Sequence, residues 1–131
     1  MESPRMVIDT TIFIEFLRAT NKQNTTLYQL PPDTELYISA VTLYELLMGA
    51  KDQEKKKDVK IVTEPTIILP FNESVAEQAG EIYHDPRKKN KMIEFRDLFI
   101  GATALAYDLP VLTKNLKHFE RIDGLKLVHT H

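Results

Sequence analysis

The chain has 131 residues, 43% hydrophobic and 27% charged, with no cysteine; this bounds it to a single domain, expected over residues 1–131, and excludes a disulfide framework, a thiolate metal centre and a cysteine nucleophile. With 17 Lys+Arg against 19 Asp+Glu the net charge is −2, so any nucleic-acid binding must rest on local patches and not on overall basicity. No apolar run is long enough to span a bilayer, and the polar residues 1–5 carry no signal-peptide pattern, so a cytoplasmic protein with no membrane partner is expected.

Residues 6–8 form a short apolar strand ending at Asp9, and Thr10-Thr11 opens a helix with Ile12, Phe13, Phe16 and Leu17 as its apolar stripe. A short helix is predicted over 21–30, then a break at Pro31-Pro32-Asp33. A second strand covers 36–38, and Ser39 starts a helix running to Ala50. The charged stretch 52–60 reads as a surface helix, 66–69 as a third strand stopped by Pro70, and 74–83 as a further helix broken at Asp85-Pro86. The basic stretch 87–91 reads as a loop. Residues 98–107, nearly all apolar, predict a buried helix, followed by a fourth strand at 111–112, a short helix at 116–121 and a last strand at 125–128.

Short strands, most of them apolar on both faces, alternate with helices. That pattern predicts an α/β fold, a central parallel sheet covered on both sides. In such sheets functional groups gather beyond the C-terminal ends of the strands. Asp9 follows the first strand, and Asp97 directly precedes the buried helix. Each, taken singly, is as well explained as a helix N-cap. Glu45 lies on a helix flanked by Val41, Tyr44 and Met48, where a carboxylate needs a partner if buried. Glu94 adds an acid near the same helix start as Asp97, a placement the helix dipole alone would favour. Asn115 follows the fourth strand and suits either a cap or a water contact. As a set, Asp9, Glu45 and Asp97 form an oxygen-only donor group of the kind a hard cation such as Mg²⁺ takes. Such a centre can hydrolyse a phosphodiester.

The same segments are similar to the motifs of a known family. Val7-Ile8-Asp9-Thr10-Thr11 resembles the first motif of PIN-domain proteins, and Ser39 through Ala50, centred on Glu45, resembles the second. Ile93 through Ala104, containing Asp97, resembles the third; Leu112-Thr113-Lys114-Asn115-Leu116-Lys117-His118-Phe119-Glu120-Arg121-Ile122 followed by Gly124-Leu125 resembles the C-terminal motif of VapC-type toxins. The motifs stand in family order and span nearly the whole chain.

The resemblance implies a three-layer α/β/α PIN sandwich and metal-dependent cleavage of RNA to a 5′-phosphate and a 3′-hydroxyl. It implies Mg²⁺, with Mn²⁺ as a substitute, held by Asp9, Glu45 and Asp97. Glu94, Thr11, Thr113 and Asn115 would be further metal or supporting groups. It also implies a homodimer held inactive by a cognate VapB-like antitoxin that covers the acidic site. Thr11 departs from the family's usual Asn or Ser. Asn115 stands where many members carry a fourth acid, so one tightly held ion is expected, with a second arriving only alongside substrate. Arg96, Lys114, Lys117 and Arg121 are the candidates for RNA phosphate contacts by their proximity to the motifs. The runs Lys55-Lys56-Lys57 and Arg87-Lys88-Lys89 are charge clusters of the kind that usually form a solvated surface. His118 is expected to pack the short helix, with no chemical role. The other histidines, His84, His129 and His131, show no ligand spacing. Tyr37, Tyr44, Phe13 and Phe16 read as core or dimer surface. A receiver-type phosphoacceptor is disfavoured because Pro70-Phe71-Asn72, with no Asp, follows the third strand. A phosphatase with a paired-Asp motif is disfavoured because Thr11 occupies the second position. A non-catalytic PIN fold that binds RNA or protein is the competing function.

Overall fold

A computed structural model describes residues 3–85 and 93–129. Among the described residues four strands, β1 (Arg5–Ile8), β2 (Glu35–Ser39), β3 (Ile67–Leu69) and β4 (Val111–Leu112), form one sheet in the order β3-β2-β1-β4. Every pairing is parallel: Val7 lies opposite Tyr37 and Val111, and Ile38 opposite Ile68. The α-helices of the described residues are α1 (Thr10–Arg18), α2 (Ala40–Gly49), α3 (Gln53–Thr63), α4 (Glu73–His84), α5 (Phe95–Ala106) and α6 (Leu116–Phe119).

The strand residues alternate between two cores, as a period of two requires. Val7, Tyr37, Leu69 and Val111 face one cluster with Val75, Ala79 and Ile82 of α4 and Leu98, Ile100 and Ala102 of α5. Met6, Ile8, Ile38 and Leu112 face the other with Ile12 and Phe13 of α1, Leu46 of α2 and Val59 of α3. The expected parallel sheet with helices on both faces is therefore the architecture observed, and the inner residues of β1, β2 and β4 lack a polar face because helices cover both sides, whereas the edge strand β3 leaves Ile67 and Ile68 exposed.

Some element boundaries differ from the sequence expectation. The segment 21–30 forms only a 3₁₀ turn, Lys22–Asn24. There the Asn21 side chain accepts from the Gln23 amide and the Thr25 hydroxyl donates to the Lys22 carbonyl. Such local side-chain bonds compete with a continuing helix. Helix α5 starts at Phe95, three residues before the buried apolar run, with the Leu98 amide donating to the Glu94 carbonyl at 2.9 Å. The expected final strand reduces to one parallel bridge, Val111 with Leu127, because β4 itself is only two residues long. The stretch 87–91 lies outside the described residues. Among the described residues no helix is long and apolar enough to cross a membrane.

The chain runs from β1 outward through β2 to β3, then crosses back to place β4 on the other side of β1. That reversal opens a crevice beyond the C-terminal ends of β1 and β4, the usual ligand position in an open α/β sheet.

Candidate active site

Asp9 is the first residue beyond β1 and has no solvent exposure (0%). It occupies the N-cap position of α1 but makes no side-chain cap hydrogen bond. Its Oδ2 instead accepts from the Thr11 and Thr113 hydroxyls, each at 2.7 Å. Thr113 follows β4, so this bond ties the two strand ends across the crevice. The Asn115 amide in turn donates to Thr113 Oγ1 at 2.9 Å. Asn115 holds the N-cap position of α6 without a side-chain cap hydrogen bond.

Asp97 lies in the first turn of α5 and is 1% exposed. Its Oδ2 is 3.2 Å from His118 Nδ1 on α6. Glu45, on α2, accepts from the Thr10 hydroxyl at Oε1 (2.7 Å), and Thr10 also lies 3.1 Å from Thr42 Oγ1. Glu94 is exposed at the N-cap position of α5.

The three carboxylates meet around Arg96. Its Nε donates to Glu45 Oε2 at 2.7 Å, Nη2 lies 3.3 Å from Glu45 Oε1 and 3.4 Å from Asp9 Oδ1, and Nη1 donates to Asp97 Oδ1. Arg96 is thus turned inward, towards the acids, and not outward towards a docking strand. Burial weakens the guanidinium's hold on its proton, but the Glu45 hydrogen bond and the charges of Asp9, Glu45 and Asp97 outweigh this and raise its pKa. Burial also pushes the Asp97 carboxyl above the ordinary carboxylate range; Arg96 opposes the rise, the Asp9 charge adds to it, and His118 opposes it again.

With the guanidinium among them, no three Asp, Glu or His side chains among the described residues stand in a metal-holding group. The donor set nevertheless fits a hard divalent cation. All three ligands offer oxygens, and all three are already gathered around a positive charge.

The remaining sequence candidates are spread around this centre. Lys114 is engaged with Glu15, Nζ to Oε2 at 2.8 Å, and with the Thr26 hydroxyl at 3.2 Å. The hydrogen bond to Lys114 is also the main cause that lowers the Glu15 pKa. Lys117 and Arg121 are exposed on and just after α6. Of the lysine run on α3, Lys55 lines a cleft of about 320 Å³ that Glu45 also lines. The run at 87–89 lies outside the described residues. Phe13 and Tyr37 are core residues, whereas Tyr44 is 63% exposed.

The PIN domain family matches residues 6–125. The chain belongs to the PIN domain family. Among curated relatives of this PIN domain is Ribonuclease VapC from Rickettsia bellii, 32% identical over 130 residues that cover 94% of each chain. Another is Ribonuclease VapC1 from Methanocaldococcus jannaschii, 28% identical over 128 residues, 96% of this chain and 88% of that one. Among solved structures, VapBC-1 from nontypeable Haemophilus influenzae matches with a TM-score of 0.79 at 28% identity, over 95% of this chain and 96% of that one. VapBC2 from Rickettsia felis, bound to a DNA fragment from their promoter, matches with a TM-score of 0.83 over 97% and 99% of the two chains. At 24% identity it speaks to the fold alone. The family resemblance and the fold drawn from the motifs are both borne out.

Besides Arg96, read as a phosphate contact and found on the acids, two residues of this PIN site escaped the sequence reading in their present role. Thr10, read as a helix starter, holds Glu45; its only signal was a hydroxyl directly after Asp9. His118, assigned to packing, reaches Asp97; its only signal was its place on the helix that follows β4, at the same sheet edge.

Proposed function

We propose that this PIN domain, acting as one domain over residues 1–131, is a metal-dependent endoribonuclease and the growth-inhibiting toxin of a type II toxin–antitoxin pair in the cytoplasm. The observation that carries the reading is the convergence of Asp9, Glu45 and Asp97 on one cationic centre at the switch point of the sheet. Asp9, Asp97 and Glu45 would hold Mg²⁺, or Mn²⁺ in its place, which when bound supplies Lewis-acid polarisation of the scissile phosphoryl group and a more acidic water. Thr11 and Thr113 fix the orientation of Asp9, and Thr10 fixes Glu45, so that the acids do not have to reorganise as the substrate arrives. Glu45 orients the attacking water. The water oxygen bonds to phosphorus as the bond to the ribose 3′-oxygen breaks, and a proton passes to that oxygen. The products are a 5′-phosphate and a 3′-hydroxyl. Lys117, Arg121 and the Lys55 and Arg18 rim of the cleft beside Glu45 would contact neighbouring phosphates of the RNA.

Two partners complete the reading. The cleft that shares Glu45 with the acidic centre has an apolar floor of Leu46, Ala50 and Val59, and a segment of the antitoxin seated there would block access to the acids. The H. influenzae neighbour is itself described as a VapBC structure. A second copy of the chain would cover β3, an edge strand whose Ile67 and Ile68 are 52% and 47% exposed, since exposed apolar edges are normally covered in folded proteins.

Incubating the protein with RNA in Mg²⁺, Mn²⁺ or EDTA, beside an Asp97→Asn variant, tests the nuclease. Discrete fragments are expected only from the parent chain with metal. One observation favours the binding-only alternative: Arg96 already neutralises the acids without a metal. Cleavage by neither protein, together with growth inhibition by both on expression, would establish that alternative.

A further inference from the structure

Three carboxylates face Arg96 from three separate elements: Asp9 beyond β1, Glu45 on α2 and Asp97 on α5. Every nitrogen of its guanidinium has a carboxylate oxygen for a partner. The oxygens it engages are also the ones left over. Asp9 Oδ2 is taken by Thr11 and Thr113, leaving Oδ1 towards Arg96. Asp97 Oδ2 is turned to His118, leaving Oδ1 towards Arg96. Only Glu45 presents both oxygens to it, while also accepting from Thr10. The outer hydrogen bonds therefore orient the acids so that their remaining lone pairs point at one spot, and Arg96 fills that spot.

We infer that Arg96 is a built-in counter-cation that holds the acidic centre assembled in the metal-free protein and must withdraw from it before the same oxygens take a divalent ion. The inference rests on the nuclease reading above and adds to it a competitor for the metal within the chain. Its physical basis is twofold. Asp9 and Asp97 are buried, and a buried cluster of carboxylates with no cation would have to bind protons or move apart. A guanidinium meets that need because it stays charged at any working pH and its fork reaches several oxygens at once. The two cations also exclude each other, since one set of oxygens cannot face both and a second positive charge beside the first is repelled. Arg96 has a way out. Its side chain is 25% exposed, whereas those of Asp9 and Asp97 are 0% and 2%, so it stands at the mouth of the site. Once outside it can meet the phosphates of an arriving strand, the role its sequence position suggested.

The test is Mn²⁺ binding by the full chain, followed by electron paramagnetic resonance, for the parent and for Arg96→Gln. Removing the internal competitor should tighten Mn²⁺ binding by about tenfold, a usual size for coupling between linked equilibria. It should also lower the metal-free melting temperature and enlarge the rise that Mn²⁺ produces. Equal or weaker Mn²⁺ binding by Arg96→Gln overturns the inference while leaving the nuclease reading intact. Absence of binding in both proteins overturns the metal-dependent reading, and the inference with it. Should the variant fail to fold, the parent chain decides the matter through the ¹⁵N–¹H signal of Arg96 Nε. In metal-free protein that proton is hydrogen-bonded to Glu45 and should exchange slowly with water; saturating Mg²⁺ should shift it and release it to exchange. A signal that keeps its position and protection while the Asp9 amide reports bound Mg²⁺ overturns the inference.

Discussion

Helices α2, α3 and α4 begin on side chains that cap them: Ser39 accepts from the Thr42 amide, Asp52 from Lys55 and Asn72 from Val75. Helices α1 and α5 begin on Asp9 and Glu94, and neither side chain makes a cap bond. Asp9 and Asp52 are the same residue at the same position of a helix. One turns its carboxylate back onto the helix; the other turns it into the crevice, onto Thr11, Thr113 and Arg96. A missing cap costs roughly 1 kcal/mol. At Asp9 a cap-competent residue that does not cap is recruited into the crevice, at the strand end beside the switch point.

The comparison breaks most sharply at Asp9 itself. Asp9→Asn should lower single-turnover RNA cleavage at least about 10³-fold, the scale of loss when a reacting group is removed. Any change in its folding midpoint should come from the contacts with Thr11, Thr113 and Arg96 and not from the helix end, because α1 never had the side chain as a cap. Retention of a tenth of the activity would mean that Asp9 supports structure and not chemistry.

Thr113→Val keeps the shape of the side chain and deletes the donor to Asp9 Oδ2. Metal affinity or cleavage should fall by about 10–100-fold, the usual effect of losing an outer hydrogen bond on a metal ligand. Calorimetric Mg²⁺ titration checks this; unchanged affinity would show that the Thr11 hydroxyl alone orients Asp9 for the metal.

At the other end of the sheet the same kind of substitution should do the opposite. Asn72 caps α4 and donates to the Tyr107 hydroxyl at 3.1 Å. Asn72→Ala should lower stability in urea unfolding by about 1 kcal/mol with cleavage unaltered. A loss of cleavage there would place α4 in the site and undo the contrast between capping and recruited residues.

How much of this the sequence disclosed depended on distance along the chain. The central strands were legible because helices on both sides keep their inner residues apolar, and the cap at Ser39 lies three residues from the amide it serves; the cap at Asn72 was not read, and the helix expected from Ser74 begins at Glu73. Asp9, Glu45 and Asp97 were legible as acids near strand ends and helix starts, and through the family motifs. The inward turn of Arg96 was not legible, because its partners Glu45 and Asp9 stand 51 and 87 residues away. A long cationic side chain beside a motif has the same sequence signature whether it points to solvent or to buried acids. His118 was hidden for the same reason: its contact to Asp97 crosses 21 residues and two helices. The 3₁₀ turn at Lys22–Asn24 replaced a predicted helix through local side-chain bonds that periodicity does not register.

The smallest effect on stability, and the most informative about the balance between stability and chemistry, is expected at Asp97. Burial is the main cause that raises its carboxyl above the ordinary carboxylate range, with Arg96 opposing the rise, Asp9 adding to it and His118 opposing it again. A raised folded pKa means that the folded state holds the proton more tightly than the unfolded chain does. Below about pH 3.8 the group is protonated in both states and the stabilising difference is fully present. As pH climbs through the raised value, the buried carboxyl must ionise and that stability is lost. Asp97→Asn keeps the shape and never ionises. In EDTA at neutral pH it should therefore match or exceed the parent in stability, by up to about 1 kcal/mol, while cleaving no RNA. The advantage should shrink steadily as pH is lowered towards the unfolded value, in thermal melts taken across that range. If Asp97→Asn is instead the less stable protein at neutral pH, the Arg96 and His118 contacts outweigh the burial of the charge, and Asp97 belongs with Asp52 and Asn72 among the residues that hold the fold together.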